Sequence, residues 1–367
     1  KSTRRTKMYF SVDGKKIGPD SPTYFIADIA ANHDGDLDRA LKLIKLAHEA
    51  GADAVKFQHH DCSKYVSDYG FKNLGSKMSH QTKWNKTIYE VYKDAEVPLQ
   101  WTDVLKDYCD ELGITFFTTP YDLNMVDKLD PYVPAFKIGS GDVAWEAMVE
   151  KVSRKAKPVF IATGAASMNE VFRTMEVLDY HNLPGICLMQ CNTNYTGDME
   201  NFKYINLNVL KTYKKYFPNV VLGLSDHTPG HVTVLGAVAL GARAIEKHFT
   251  DDTTRSGPDH PFSMDPKAWR EMVDLTRLLE QSLGSEKKEV QENEKETIVL
   301  QRRCIRVNKN IKYRDTISEE DIEFQRPAPP GSLSPNLVHE VVGKPLMRAI
   351  QQGEHLTVEH LPRKNGC

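Results

Sequence analysis

Eight short apolar runs mark the first two-thirds of the chain, each closing on polar or charged residues and separated from the next by a stretch of helical spacing. They lie at 24–31 (YFIADIAA), 53–58 (DAVKFQ), 114–120 (ITFFTTP), 135–140 (AFKIGS), 158–163 (PVFIAT), 185–191 (GICLMQC), 220–226 (VVLGLSD) and 243–249 (RAIEKHF). Between the first two, Leu37, Ala40, Leu41, Ile44 and Ala47 recur at helical spacing, and Gly51 stands where a helix end favours positive φ. Residues 50–58 (AGADAVKFQ) and 240–249 (LGARAIEKHF) repeat the same helix end, Gly-Ala turn and strand. Eight β/α units of about thirty residues predict an α/β fold, a (β/α)8 TIM barrel whose chemistry gathers where the strands end.

Around this barrel the pattern changes three times. Residues 8–17 read as two strand fragments about Asp13-Gly14, an N-terminal β-hairpin expected to plug the barrel floor. The segment 61–98 is long for a βα connection and carries Tyr65, Tyr69, Trp84, Tyr89 and Tyr92, which makes it a candidate lid. After a helix at 269–283 the chain becomes densely charged, a linker or a solvated helix, and then turns to short strands and Pro-rich turns. The division expected is a barrel over 1–285, a linker over 286–297 and a small C-terminal domain over 298–367. A module of that size is marginal alone and is expected to lean on a partner surface.

With 40% apolar residues in 367, the chain can fill a sizeable core, and its formal charge of -2 gives no reason to expect nucleic acid or an anionic membrane as partner. Six cysteines without a CxxC pair read as reduced thiols of a cytoplasmic protein. No apolar run approaches the length of a membrane span, and the opening Lys1-Ser2-Thr3-Arg4-Arg5 lacks the apolar stretch of a secretory signal. A small soluble ligand is the expected partner.

Residues two apart on a strand face the same way. That rule pairs Ser225 with His227 and Glu246 with His248, so two imidazoles from neighbouring strands converge and suggest a divalent metal with open coordination positions. Lys56, Lys137 and Lys247 end three strands, and Gly139-Ser140-Gly141-Asp142 opens the next helix, a set suited to a phosphate or phosphocarboxylate. Asp28 and Asn32 are expected on one face of the first strand, with Asp142 and Asp259 in loops at the same end. Asp34-Gly35-Asp36 and His59-His60 read as loop and helix-start residues, and Asp251 and Asp252 as solvated.

The blocks IADIAANHDGDLDRA, AGADAVKFQ, FKIGSGD, GLSDHTPG, ALGARAIEKHFT and SGPDH, in this order, resemble those of the sialic acid (N-acylneuraminate, nonulosonic acid) synthase family, and 298–362 resembles its antifreeze-like (SAF) domain. The resemblance implies condensation of phosphoenolpyruvate with an open-chain N-acyl hexosamine, such as N-acetylmannosamine, and release of phosphate. It implies His227 and His248 as ligands of a divalent metal, typically manganese, with magnesium or cobalt as alternatives. Asp28, Asp142 and Glu246 become the catalytic carboxylates, and Lys56, Thr119, Lys137, Ser140 and Ser225 the phosphoenolpyruvate site. Gln58, Tyr121, Asn192, Thr193, Tyr195, Asp259 and Arg326 fall around the acceptor sugar, with Arg326 supplied across a domain-swapped homodimer.

Departures from the family pattern are specific. Asp28 and Asp142 stand where bacterial members often carry Glu, Ala162 where a phosphate-contacting serine is common, and 191–195 (CNTNY) shuffles the usual order of asparagine and tyrosine. Asp142 and Gln190-Cys191 are similar to animal enzymes acting on a 6-phosphorylated sugar, whereas Arg326-Pro327 is similar to bacterial ones that do not, so acceptor phosphorylation stays open. Two other readings stand beside this one: a Schiff-base aldolase using Lys56, Lys137 or Lys247, and a non-catalytic sugar-binding relic.

Overall fold

The computed structural model describes residues 8–75, 81 and 84–363, and the chain divides into two compact units, Lys1–Gly284 and Ser285–Cys367. Lys1 to Arg5 and Cys367, read above from the sequence, lie outside the described residues. The first unit opens with strands β1 (Phe10–Val12) and β2 (Lys15–Ile17), an antiparallel hairpin turned at Asp13 and Gly14, both at positive φ. Its buried Phe10 meets Phe160 edge-on at 5.5 Å, and a Cβ at Gly185 would sit 2.2 Å from Phe10, so the close approach itself demands glycine there. The hairpin thus closes the end at which the strands begin.

Eight parallel strands follow: β3 (Tyr24–Asp28), β4 (Ala54–His59), β5 (Thr115–Pro120), β6 (Phe136–Ile138), β7 (Val159–Ala162), β8 (Ile186–Cys191), β9 (Val221–Asp226) and β10 (Ala242–His248). Hydrogen bonding orders them β5-β4-β3-β10-β9-β8-β7-β6, and β5 lies beside β6, so the sheet curls into a nearly closed TIM barrel. The first strand is shorter than its apolar run suggests. Its chain leaves at Ile29 into a 3-10 turn, Ala30–His33, where Ala30 takes φ 46°, and Asn32 therefore does not share the strand face of Asp28.

Helix α1 (Leu37–Glu49) shows why these segments form and stop. Asp36 caps it by accepting the Arg39 N–H, Ala40, Leu43, Ile44 and Ala47 bury one stripe, and Gly51 turns the chain at φ 93°. The long connection after β4 folds into α2 (Cys62–Tyr65), α3 (Asp68–Lys72) and α4 (Ile88–Asp94) around a small core of Cys62, Val66 and Ile88. Within the barrel Phe160 stacks on Tyr24 at 6.3 Å and on Phe117 at 5.5 Å, a packed floor above which the lumen turns polar.

The second unit has its own core, including Ile305, Val307, Ile317, Val341, Leu346 and Leu356. Strands β11 (Cys304–Val307) and β12 (Ile322–Gln325) pair antiparallel in it, and part of the charged stretch before them forms a helix, Lys295–Gln301, with no buried residue. Among the described residues no helix is long and apolar enough to cross a membrane, and Cys62, Cys109, Cys187, Cys191 and Cys304 are all unpaired.

Candidate active site

Parallel register sets the first layer of the site. Asp28 is level with Lys56 and with His248, Gln58 with Thr119, and Glu246 with Ser225. Neighbouring residues at one level face the same side of a pleated sheet, so their side chains enter the lumen together. Lys56 Nζ donates to Asp28 Oδ2 at 2.7 Å and to Thr119 Oγ1 at 3.3 Å, and lies 3.9 Å from Glu246. Gln58 donates its amide to Asp28 at 2.9 Å. Lys137 and the Ser225 hydroxyl each donate to Glu246 Oε1 at 3.2 Å, whereas Glu246 Oε2 is buried without a hydrogen-bond partner among the described residues.

These are buried charges, and each shifts for a reason. Burial alone would raise Asp28, but Lys56 and His248 outweigh it and hold the carboxyl below its ordinary range. Burial likewise opposes the charge on Lys56, yet Asp28 and Glu246 keep its ammonium above the usual lysine value. Burial pushes Asp142 up to about 6 and raises Asp259 as well. His248 is pushed down to about 3, first by burial and then by His227 and Lys56, against the pull of Asp28.

The two imidazoles do converge: the His227 and His248 rings stand 5.3 Å apart, with Tyr195 4.6 Å from the first and 6.5 Å from the second. His227 Nδ1 donates to the Asn192 carbonyl at 3.0 Å, which fixes its ring and leaves Nε2 for another partner. His248 Nε2 lies 3.6 Å from Asp28, and its Nδ1 is buried with no hydrogen-bond partner among the described residues, 3.8 Å from Asp259. An orphaned ring nitrogen beside carboxylates fits a metal ligand. No three His, Cys, Asp or Glu side chains among the described residues gather closely enough to hold an ion alone, so such an ion would need oxygens from elsewhere.

Of the residues expected around the acceptor, Gln58, Tyr121, Tyr195 and Asp259 line a small chamber of about 120 Å³ together with His248, walled by Tyr65 and Tyr92 from the long connection. Tyr65 lies 4.5 Å from Tyr121. On the far side, Ser140 Oγ accepts the Gly164 N–H at 2.9 Å, and a Cβ at Gly164 would come within 2.6 Å of Thr193, 2.9 Å of Ser140 and 3.1 Å of Cys191. Thr193 is therefore beside the Ser140 turn, while the Asn192 amide is spent on the Tyr204 carbonyl at 3.3 Å. Arg326 is exposed and belongs to the second unit.

Several expectations need correction. Lys247 lies in β10 one residue out of phase with Glu246 and His248, so it points away from the lumen and bonds Asp226 at 2.5 Å and the Thr228 carbonyl at 2.6 Å. Asn32 donates to the Phe249 carbonyl and to Ser263, both at 2.9 Å, and so ties loops together. His59 closes β4, buried between Thr118 and Thr102. Asp251 is not solvated: its side chain is 9% exposed and gripped by Arg39 at 2.7 Å and Lys42 at 3.1 Å. Cys191 was missed: it ends β8 buried, and its thiol meets His227 and Ser140.

A sequence model described as the NeuB family matches residues 43–288. The pseudaminic acid synthase of Campylobacter jejuni is 33% identical over 341 residues, 92% of this chain and 96% of that protein. The human N-acetylneuraminate-9-phosphate synthase is 35% identical over 278 residues, 76% of each chain. Among solved structures, the N-acetylneuraminic acid synthetase of Leptospira borgpetersenii in complex with citrate superposes with a TM-score of 0.69 at 30% identity, covering 80% of this chain and 96% of that one.

Proposed function

Because the chain belongs to the NeuB family, we propose that it joins phosphoenolpyruvate to an open-chain N-acylated hexose such as N-acetylmannosamine, giving a nine-carbon 2-keto sugar acid and phosphate. The observation that carries this reading is the convergence of Lys56, Lys137, Ser225 and Glu246 with His227 and His248 at one mouth of the barrel. A trianionic enol phosphate needs cations that cannot be washed away, and buried lysines serve that end.

In the reaction proposed, the enol C3 attacks the sugar aldehyde carbon, water adds to the cationic C2, and the C2–O bond to phosphate breaks as the ketone forms. The water loses two protons, of which one ends on the aldehyde oxygen and the other on the departing phosphate. Lys56, Thr119, Lys137, Ser140 and Ser225 hold the carboxylate and phosphate of the enol ester; Asp28 and Glu246 keep Lys56 charged, and the hydrogen bond to Glu246 aligns Lys137. Asp142, held near pH 6, can take or give a proton close to neutrality. Gln58, Tyr121, Thr193, Tyr195 and Asp259 orient the acceptor, with Asn192 positioning His227. A divalent ion, manganese first, held by His227 and His248 would supply Lewis-acid polarisation of the aldehyde.

The same lysines weigh against a Schiff-base aldolase. That chemistry needs a neutral amine, yet Asp28 and Glu246 favour the ammonium of Lys56 in spite of burial, and Lys247 is bonded to Asp226 outside the lumen. We place the reaction in the cytoplasm, in keeping with the five buried, unpaired cysteines among the described residues, and in a homodimer in which Arg326 of a second copy reaches the acceptor.

The test is phosphate release from phosphoenolpyruvate across a panel of hexosamines, with product mass as the second readout. Chelation should abolish release and manganese should restore it. His248→Ala should lose bound manganese and turnover together, and full metal stoichiometry in that variant would contradict the ligand role.

A further inference from the structure

The two imidazoles at the barrel mouth are not anchored alike. His248 is the last residue of β10 and is still level with Asp28 of β3. The strand β9 pairs with β10 as far as Asp226 opposite Lys247, and with β8 as far as Ser225 opposite Cys191, so His227 stands one residue beyond the end of its strand. Chain past a strand end is ordinarily the freer part of a barrel mouth. Yet two rings that share an ion must keep a fixed separation and aim.

One ammonium supplies the missing anchor. Lys247 Nζ donates to Asp226 Oδ2 at 2.5 Å and to the Thr228 carbonyl at 2.6 Å, and these are the two chain neighbours of His227. Lys247 is itself the chain neighbour of His248, so a single side chain ties the backbone on both sides of one ring to the backbone that carries the other. Asp226 Oδ2 is aimed in turn by the hydroxyls of Thr228 at 2.7 Å and Thr233 at 2.8 Å, the second from the helix Val232–Ala239. The Lys247 and Asp226 side chains are 1% and 0% exposed, which denies them replacement by water. Stability alone accounts poorly for such a pair, because apolar residues of similar volume often replace a buried ion pair without loss. What apolar residues cannot reproduce is a tether of fixed length between the two ring-bearing segments. The Asn192 carbonyl, bonded to His227 Nδ1 at 3.0 Å, sets how that ring is turned, not where its backbone lies.

We infer that Lys247 and Asp226 are positioning residues, which from behind the sheet fix the separation and aim of the His227 and His248 rings for one divalent ion. This rests on the metal role given to those rings under Proposed function and adds the pair that holds them. The experiment titrates the full chain with manganese by calorimetry and measures its urea midpoint, in the wild type, in the double variant Asp226→Asn with Lys247→Met, and in Val152→Ala, a core change in the helix Glu146–Ser153. The double variant removes both charges together, so neither is left buried alone. It should bind manganese about 10–100-fold more weakly, as for other outer partners of metal ligands. Val152→Ala should lower the midpoint and keep wild-type affinity. Wild-type affinity in the double variant, or equal weakening in Val152→Ala, overturns the inference. Should the double variant not fold, Thr233→Val takes its place: it keeps the pair but removes one hydroxyl that aims Asp226, severalfold weaker manganese binding supports the inference, and unchanged binding overturns it. Failure of the wild type to bind manganese counts against the metal reading instead, and crystal structures then decide: rings displaced from their 5.3 Å separation in the folded variant support the positioning role, and rings left in place overturn it.

Discussion

Lys56 and Lys247 are both buried, both lie on a barrel strand and both bond an aspartate, yet strand parity gives them opposite uses. Lys56 faces the lumen. Lys247 lies behind the sheet, where Asp226 also accepts the hydroxyls of Thr228 and Thr233 from the turn and helix above. Lys247→Met should therefore cost stability, about 3–5 kcal/mol for a buried partner left alone, read as a lowered urea midpoint. Lys56→Met should instead remove phosphate release. A pH effect belongs to this scale as well. Burial pushes His33 down to about 4 from its ordinary 6.5. The unfolded chain takes up that proton first on acidification, so the contribution is whole above pH 6.5 and fades as pH falls toward 4, by about 1.4 kcal/mol per pH unit. His33→Gln should flatten the dependence of unfolding free energy on pH across that window, and an unchanged slope would show that His33 is already charged in the folded protein.

At the scale of elements, the turn after β3 and the loop after β10 behave as one piece. Asp259, opposite His248, accepts the Ala31 N–H at 3.0 Å, and its carbonyl accepts the Ser263 hydroxyl at 2.6 Å. Asn32 closes the circuit through Ser263 and Phe249, and His260 spans Thr250 at 2.7 Å and Asp34 at 2.9 Å. Asn32, read at first as a candidate for ligand contact, and Asp34, read as a loop residue, are thus the stitching that aims Asp259. Asn32→Ala should raise the acceptor KM by about tenfold while changing the phosphoenolpyruvate KM much less, since a small misplacement of a positioned group is expensive. Equal changes in both would show a general loosening of the barrel mouth.

At the scale of the molecule, each unit carries its own core, so removing the second need not unfold the first. A chain ending at Gly284 should keep its circular dichroism spectrum and lose phosphate release, and Arg326→Ala in the full chain should weaken acceptor use more than phosphoenolpyruvate use. Full activity of the shortened chain would dispense with the homodimer. The amino-acid sequence by itself pointed to the barrel, because eight apolar runs ending in polar residues, alternating with helices, match the repeat of a closed parallel ring, and period two then assigned Ser225, Glu246 and His248 to one side. Only the tertiary structure decided where β3 gives way to a turn, that Lys247 and Asp251 are locked in ion pairs, and that Cys191 meets His227. The physical reason is range. Alternation is a local property written into neighbouring residues, whereas the partner of a buried charge comes from another strand or loop, and its identity exists only once the sheet has closed.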